Sequence, residues 1–407
     1  MLDSVSGPLT GVRVLDLTAV LLGPYTTQIL GDLGATIIKV ESPAGETTRN
    51  VGPKHNRHMA AVFLNMNRNK RSIVIDLATP QGREALLKLA ASCDVFVHNM
   101  RPKAIKKLGL TYPELCAVNE NIVYGAAFGY GQAGPYADHP AYDDLIQGIS
   151  GLADLQARAS QSDPKYMPTV LADKTAGLTL AYAILAALYA REKTGKGQEV
   201  SVPMFETMVS YVLVEHLVGT GYEPPLGPMG YSRVLSQYRK PFKTKDGFVC
   251  ILPYTDRHWL KYFDLIGRTE LTQDPKYSEI AARTENIDGL YQLLEEQTVL
   301  QTTQYWLDLL GEAEIPCAPV NTLDDLLEDE HLNAVNFFRV EEHPSEGRVR
   351  YSPNPVEFSE TPVSLHRSAP QLGEHSREIL LEAGVSEAQC EQLVADGIVT
   401  QYDANNA

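Results

Sequence analysis

GVRVLDLTAVLLGPYTTQILGDLGATIIKVE, residues 11–41, decides the fold of this 407-residue chain. Val12–Leu17 is a short apolar run, Pro24 suits the opening turn of a helix, Gly31 and Gly34 mark its far end, and Thr36-Ile37-Ile38-Lys39-Val40 is β-branched again. Strand, helix and strand in so short a span predict one β-α-β unit. A strand at Ser72–Leu77, a helix at Pro80–Ala91 and strands at Val95–His98 and Ile122–Ala127 continue the alternation. The predicted fold class is therefore α/β: a doubly wound, Rossmann-like large domain on a mostly parallel sheet with helices on its faces.

The loop after the first strand reads TAVLLGPYTT and lacks the G-x-G-x-x-G that would bring backbone against a pyrophosphate, which argues against a nicotinamide dehydrogenase. Neither a Walker loop, H-E-x-x-H nor a G-x-S-x-G elbow occurs. Further along, TGKGQEVSVPMFE predicts a polar turn, a short strand and an amphipathic helix to about Val218. Gly219 to Pro241 reads as a connector, and Asp246-Gly247 between strand-like runs predicts a hairpin opening a smaller α+β domain. Helices are expected around His258–Ile266, Leu290–Glu296 and Gln304–Leu310, with IPCAPVNT at 315–322 carrying the chain back. LGEHSREILLEAG at 372–384 predicts a last helix capped by Gly384. The resulting boundaries are 1–218, 219–325 for linker and small domain, and 326–407 for a return segment.

With 35 basic against 51 acidic side chains, the net charge of −16 argues against nucleic-acid or membrane-surface binding. Five scattered cysteines without a CxxC pair fit a reducing compartment and offer no metal site. MLDSVSGPLTG reads as neither a secretory nor a mitochondrial address, so the expected location is cytoplasmic. The apolar stretch Leu178–Ala190 is too short for a membrane span and predicts a buried helix. At the mouth of that helix stands Asp173, in PTVLADKTAG at 168–177. Two readings are open: Asp is a common helix cap, and unpaired N–H groups of a first turn also hold an attacking anion and its oxyanion.

The opening stretch, NMNRNKRSIVIDLATPQGREALLKL at 65–89, VHNMRPKAIKKLGL at 97–110, GYGQAGPYADHPAYDDLIQGISG at 129–151 and the Asp173 segment together resemble class III CoA-transferases, the CaiB/BaiF family of formyl-CoA and carnitine CoA-transferases. The likeness runs in order through almost the whole chain. It implies that Asp173 is the catalytic nucleophile, passing through an aspartyl anhydride and an aspartyl-CoA thioester. Tyr142 and Asp143 match a Tyr-acid pair beside the nucleophile. Their plain alternative is a loop Tyr and an N-cap Asp. Val20 and Leu21 match backbone contacts to CoA near the thioester, and the family's Gln is absent at Leu21. Asn99, Met100 and Lys107 match CoA-contacting positions, Lys107 replacing an Arg, and Ile75 matches another, although it reads equally as a buried strand residue. Arg101 and Arg71 are candidate cations for the CoA phosphates, each equally readable as a solvated turn residue. Ser42 stands where the family has an Arg, so the adenine end is expected to be gripped differently. The glycine loop of formyl-CoA transferase has no counterpart between 225 and 260, which argues against formyl transfer to oxalate.

The resemblance further implies an acyl-CoA and a small carboxylic acid as substrates, succinyl-CoA being a candidate donor, with no tightly bound cofactor and no metal. It also implies an interlocked ring homodimer whose large domain uses both chain ends. A 2-methylacyl-CoA racemase is the nearest alternative, but its catalytic His falls at Tyr142, and Tyr is poorly matched to proton abstraction near neutral pH. A non-catalytic CoA-binding protein is the other.

Overall fold

The computed structural model describes residues 4–402. Six parallel strands form the central sheet: β1 (Arg13–Leu17), β2 (Thr36–Glu41), β3 (Lys70–Ile75), β4 (Val95–His98), β5 (Val123–Phe128) and β6 (Gln198–Pro203). A smaller sheet contains β7 (Phe242–Lys243), β8 (Phe248–Ile251) and β9 (Cys317–Pro319); β10 (Arg339–His343) and β11 (Gly347–Tyr351) pair as a hairpin; β12 (Val399–Thr400) joins the large sheet antiparallel to β3. The large sheet runs β12-β3-β2-β1-β4-β5-β6. Strand order thus reverses between β1 and β4, and the loops leaving those two strands diverge into a crevice at the carboxyl edge.

Residue alternation divides the sheet into two unlike faces. Leu15, Leu17, Ile38, Val40, Ile73 and Ile75 lie in one apolar cluster with the helix Pro80–Ala90. On the opposite face the register aligns Asp16 with Lys39 and Lys39 with Ser72, while Glu41 and Lys70 occupy alternate positions on the same strands. All five are buried.

Two compact units are present: one comprises residues up to Ser150, Pro168–Val209 and those from Asn333 on, and the other Gly151–Met167 with Ser210–Leu332. The expected boundaries at 218 and 325 followed composition; packing instead gives 151–167, 210–218 and 326–332 to the smaller unit. That unit has its own core, including Trp259, Phe263, Leu290, Leu294 and Trp306.

IPCAPVNT is more than a return path, because Cys317 and Ala318 pair with Ile251 and Cys250 and complete the small sheet. Nor does the chain end its structure at the helix Ser376–Glu382. Ser386 and Gln389 form a capping box for another helix, Glu387–Ala395, which leads into β12. The helix Leu171–Thr194 is buried on one side only: Ile184 seats against Gly125 of β5, whereas Leu178, Tyr182 and Tyr189 are exposed. Its length and composition would suit a membrane span, yet its inner face packs on the sheet.

Candidate active site

A backbone approach sets the site. A Cβ on Gly177 would lie 2.8 Å from the Leu22 carbonyl oxygen, so only glycine lets the helix Leu171–Thr194 come this close to the helix Leu22–Asp32. Thr26 Oγ1 donates to the Gly177 carbonyl at 2.9 Å and locks the crossing. One turn earlier, Asp173 is thereby carried beside Leu21 at the end of the β1 loop.

Asp173 does not cap its helix. Val170 occupies the cap position without a side-chain bond, and Asp173 is the third residue of the first turn. Its backbone N–H instead donates to Asp143 Oδ1 at 2.9 Å, and Gln147 Nε2 donates to Asp143 Oδ2 at 2.6 Å. Asp143 is buried at the first position of the helix Asp143–Ile149, so a carboxylate from elsewhere does the capping. No hydrogen bond among the described residues reaches the Asp173 carboxyl oxygens. Burial first, and the Asp143 charge second, push its pKa up to about 7.

Asp173 stands in the wall between two cavities. One, of about 730 Å³, extends past Leu21, Tyr25, Asn65 and Lys174 toward Pro353–Val356. The other, of about 490 Å³, brings Asp173 together with Tyr142, Val20, Leu21, Asn99, Met100 and Arg101. Val20, Asn99, Met100 and Arg101 also border a third cavity, which reaches Glu41, Ser42 and Ile75, and Met100 continues into a fourth that includes Lys107. A groove therefore follows the carboxyl edge of the sheet from Asp173 across the switch point. Asp143 lies behind it. Arg71 lies outside it, its guanidinium spent on Glu378 at 3.0 Å and Glu382 at 2.7 Å.

Residues 9–376 match the family model described as CoA-transferase family III. The chain belongs to this family. Succinyl-CoA:glutarate CoA-transferase of Mus musculus is 33% identical over 401 residues, covering 97% of this chain and 91% of the relative. Succinyl-CoA:mesaconate CoA-transferase of Haloarcula hispanica is 32% identical over 391 residues, covering 93% and 97% respectively. The crystal structure of a CAIB/BAIF family protein from Brucella suis superposes with a TM-score of 0.76 at 33% identity, over 93% of this chain and all of that one. The protein is thus a CoA-transferase, an enzyme of acyl-CoA and carboxylate chemistry.

Sequence reasoning missed what holds this family III site in shape. Asn99 closes its amide on one peptide group: Ala19 N–H donates to Asn99 Oδ1 at 3.0 Å, and Asn99 Nδ2 donates to the Ala19 carbonyl at 2.8 Å. Next to it, His98 is buried and its pKa is lowered to about 3 by desolvation, so the ring is neutral. Met100 N–H donates to His98 Nδ1, which leaves the proton on Nε2 facing the Tyr124 hydroxyl at 2.8 Å; that hydroxyl donates to the Leu110 carbonyl. The signal for both was the VHNM run, but its partners are distant in sequence. Buried charges in β1 to β3 gave no local signal, since Lys39 and Lys70 read as surface residues until the register pairs them with acids.

Proposed function

We propose that this CoA-transferase moves CoA from succinyl-CoA to a second dicarboxylic acid through covalent intermediates on Asp173. The observation that carries the reading is Asp173 itself, undonated at its oxygens, raised to about 7 and shared by both cavities. Weak hydrogen bonding and partial desolvation make its carboxylate a stronger nucleophile than a solvated one. An oxygen of ionised Asp173 attacks the thioester carbonyl; the carbon–sulfur bond breaks, giving a mixed anhydride and CoA thiolate. The thiolate then attacks the aspartyl carbonyl, releasing the first acid as its carboxylate and leaving an aspartyl-CoA thioester. Entry of the acceptor carboxylate runs the same steps in reverse, so no ATP is consumed.

In this reading CoA lies along the groove, with Val20, Leu21, Ile75, Met100, Arg101 and Lys107 in its walls, and Asn99 acting by holding the loop that faces it. Tyr142 stands over the reacting end, and Asp143 holds the first turn of the nucleophile's helix. The larger cavity receives the acid. Dicarboxylates are favoured because the relatives named above act on succinyl-CoA with glutarate or mesaconate. The exposed Leu178, Tyr182 and Tyr189 on one helix face support association as a homodimer, which would cover them; interlocking of its rings is testable by whether unfolding is required for subunit exchange.

The test is to incubate the enzyme with succinyl-CoA, quench with borohydride or hydroxylamine, and map the modified peptide. Modification at Asp173 is expected. Full turnover in Asp173→Ala without a labelled aspartate would end the reading. A panel of acids scored for CoA uptake then identifies the acceptor.

A further inference from the structure

Val20 has φ +71°, in the left-handed region where a β-branched residue is a real outlier. Such strain persists only where the surroundings over-determine the backbone. Here they do. Asp16 Oδ1 accepts from the Thr18 N–H at 2.8 Å, and Lys39 Nζ donates to the Thr18 carbonyl at 3.0 Å. Asn99 takes both polar groups of Ala19. Glu46 Oε2 accepts from the Val20 N–H at 3.2 Å. Every backbone polar group from the Thr18 N–H to the Val20 N–H is held by a side chain. The next N–H, that of Leu21, has no acceptor among the described residues, and Leu21 borders both cavities that meet at Asp173.

Glu46, like Asp16 and Lys39, is a member of this set that the sequence did not suggest. Its carboxylate is buried and accepts on both sides: Lys39 Nζ lies 3.3 Å from Oε2, Thr48 Oγ1 donates to Oε1 at 2.6 Å, and Asn67 Nδ2 donates at 3.3 Å. Three neighbours therefore fix where the acceptor for Val20 can be.

We propose that Glu46 is a positioning residue for CoA transfer: it holds strained Val20 so that the free Leu21 N–H faces the carbonyl attacked by Asp173. The proposal rests on the reading of Asp173 as nucleophile. If Glu46 is lost, Val20 relaxes toward the extended region and the donor turns away. A glycine at position 20 has no such preference and adopts φ +71° without that strain.

The experiment measures single-turnover labelling of Asp173 by succinyl-CoA, or by whichever acyl-CoA labels the wild type fastest, in Glu46→Gln, Val20→Gly and the double variant. Glu46→Gln is expected to slow labelling about 30- to 100-fold with the KM for acyl-CoA within about threefold, the scale of a misplaced donor. In the Val20→Gly background the same change is expected to cost less than about fivefold. Equal losses in both backgrounds, or none, with wild-type Asp173 still labelled, would overturn the positioning role and leave the nucleophile reading intact. Wild-type label on a residue other than Asp173 would overturn both. Should Glu46→Gln fail to fold, Asn99→Ser provides the same contrast from the other side of the loop, with the same expected and overturning results.

Discussion

Asp16 and Asp173 stand at two ends of one site and have opposite electrostatics. Asp16 is fully buried, yet its pKa is lowered: burial alone would raise it, and Lys70, Lys39 and the hydroxyls of Thr18 and Thr27 overcome that. Asp173 is less buried, yet its pKa is raised to about 7, because burial and then the nearby Asp143 charge push it up and no donor offsets them. Burial pushes both carboxyls up; whether donors and cations oppose it sets the outcome. The β1 loop is thus held by satisfied charges, whereas the opening turn of the Asp173 helix leaves one carboxyl without a donor.

The largest break in this contrast is Asp173→Asn. Transfer should fall by about 10⁴-fold or more, equivalent to roughly 5 kcal/mol of barrier, measured as CoA moved per turnover. Stability should move the other way. Between the ordinary Asp value of 3.8 and about 7, the folded chain keeps a proton on Asp173 that the unfolded chain has released, so wild-type stability falls as pH rises through that window. Asn removes the loss: denaturant melts should show the variant more stable by about 1–3 kcal/mol at pH 8 and level with wild type near pH 3.5.

On the satisfied side, Lys39→Met leaves Glu46 without its ion-pair partner, Asp16 with Lys70 alone, and the Thr18 carbonyl without its donor. Loss of about 3–5 kcal/mol in urea unfolding is expected, the usual consequence of removing one partner of a buried ion pair. A match to wild-type stability would show that the network is not the frame described.

Gly177→Ala tests how closely the two regions must approach. Helix propensity alone favours Ala by about 1 kcal/mol, but its Cβ would meet the Leu22 carbonyl at 2.8 Å and push the helices apart. About 10- to 100-fold lower kcat is expected, equivalent to about 1.4–2.7 kcal/mol. The smallest effect belongs to Asp143→Asn, which retains an acceptor for the Asp173 N–H and removes a neighbouring charge. The acid limb of the rate profile, expected to break near pH 7 in wild type because attack requires ionised Asp173, should move about half to one unit lower.

Much of the large sheet was legible because parallel strands buried on both faces are written as short β-branched runs between Gly and Pro. Its charged positions were not. Lys39 in IIKVE and Lys70 in NRNKRS resemble solvated residues, and only strand pairing places them against Asp16 and Glu46. Arg71 was expected near phosphate and is instead held by Glu378 and Glu382, more than 300 residues away in the chain. The S-x-x-Q of SEAQ is a local signal for the helix Glu387–Ala395, whereas β12, two residues long, shows itself only by pairing with β3.

The amino-acid sequence alone determined the β-α-β alternation, the absence of a dinucleotide loop, the ordered motifs of the family and the candidacy of Asp173, since each depends on residues close together in the chain. Tertiary structure decided the rest: that Asp143 caps the helix in place of Asp173, that Gly177 admits the β1 loop beside it, and that Asp16, Lys39, Glu46 and Asn99 hold that loop. A carboxylate's reactivity depends on which donors surround it, and those donors come from segments that meet only when the chain folds.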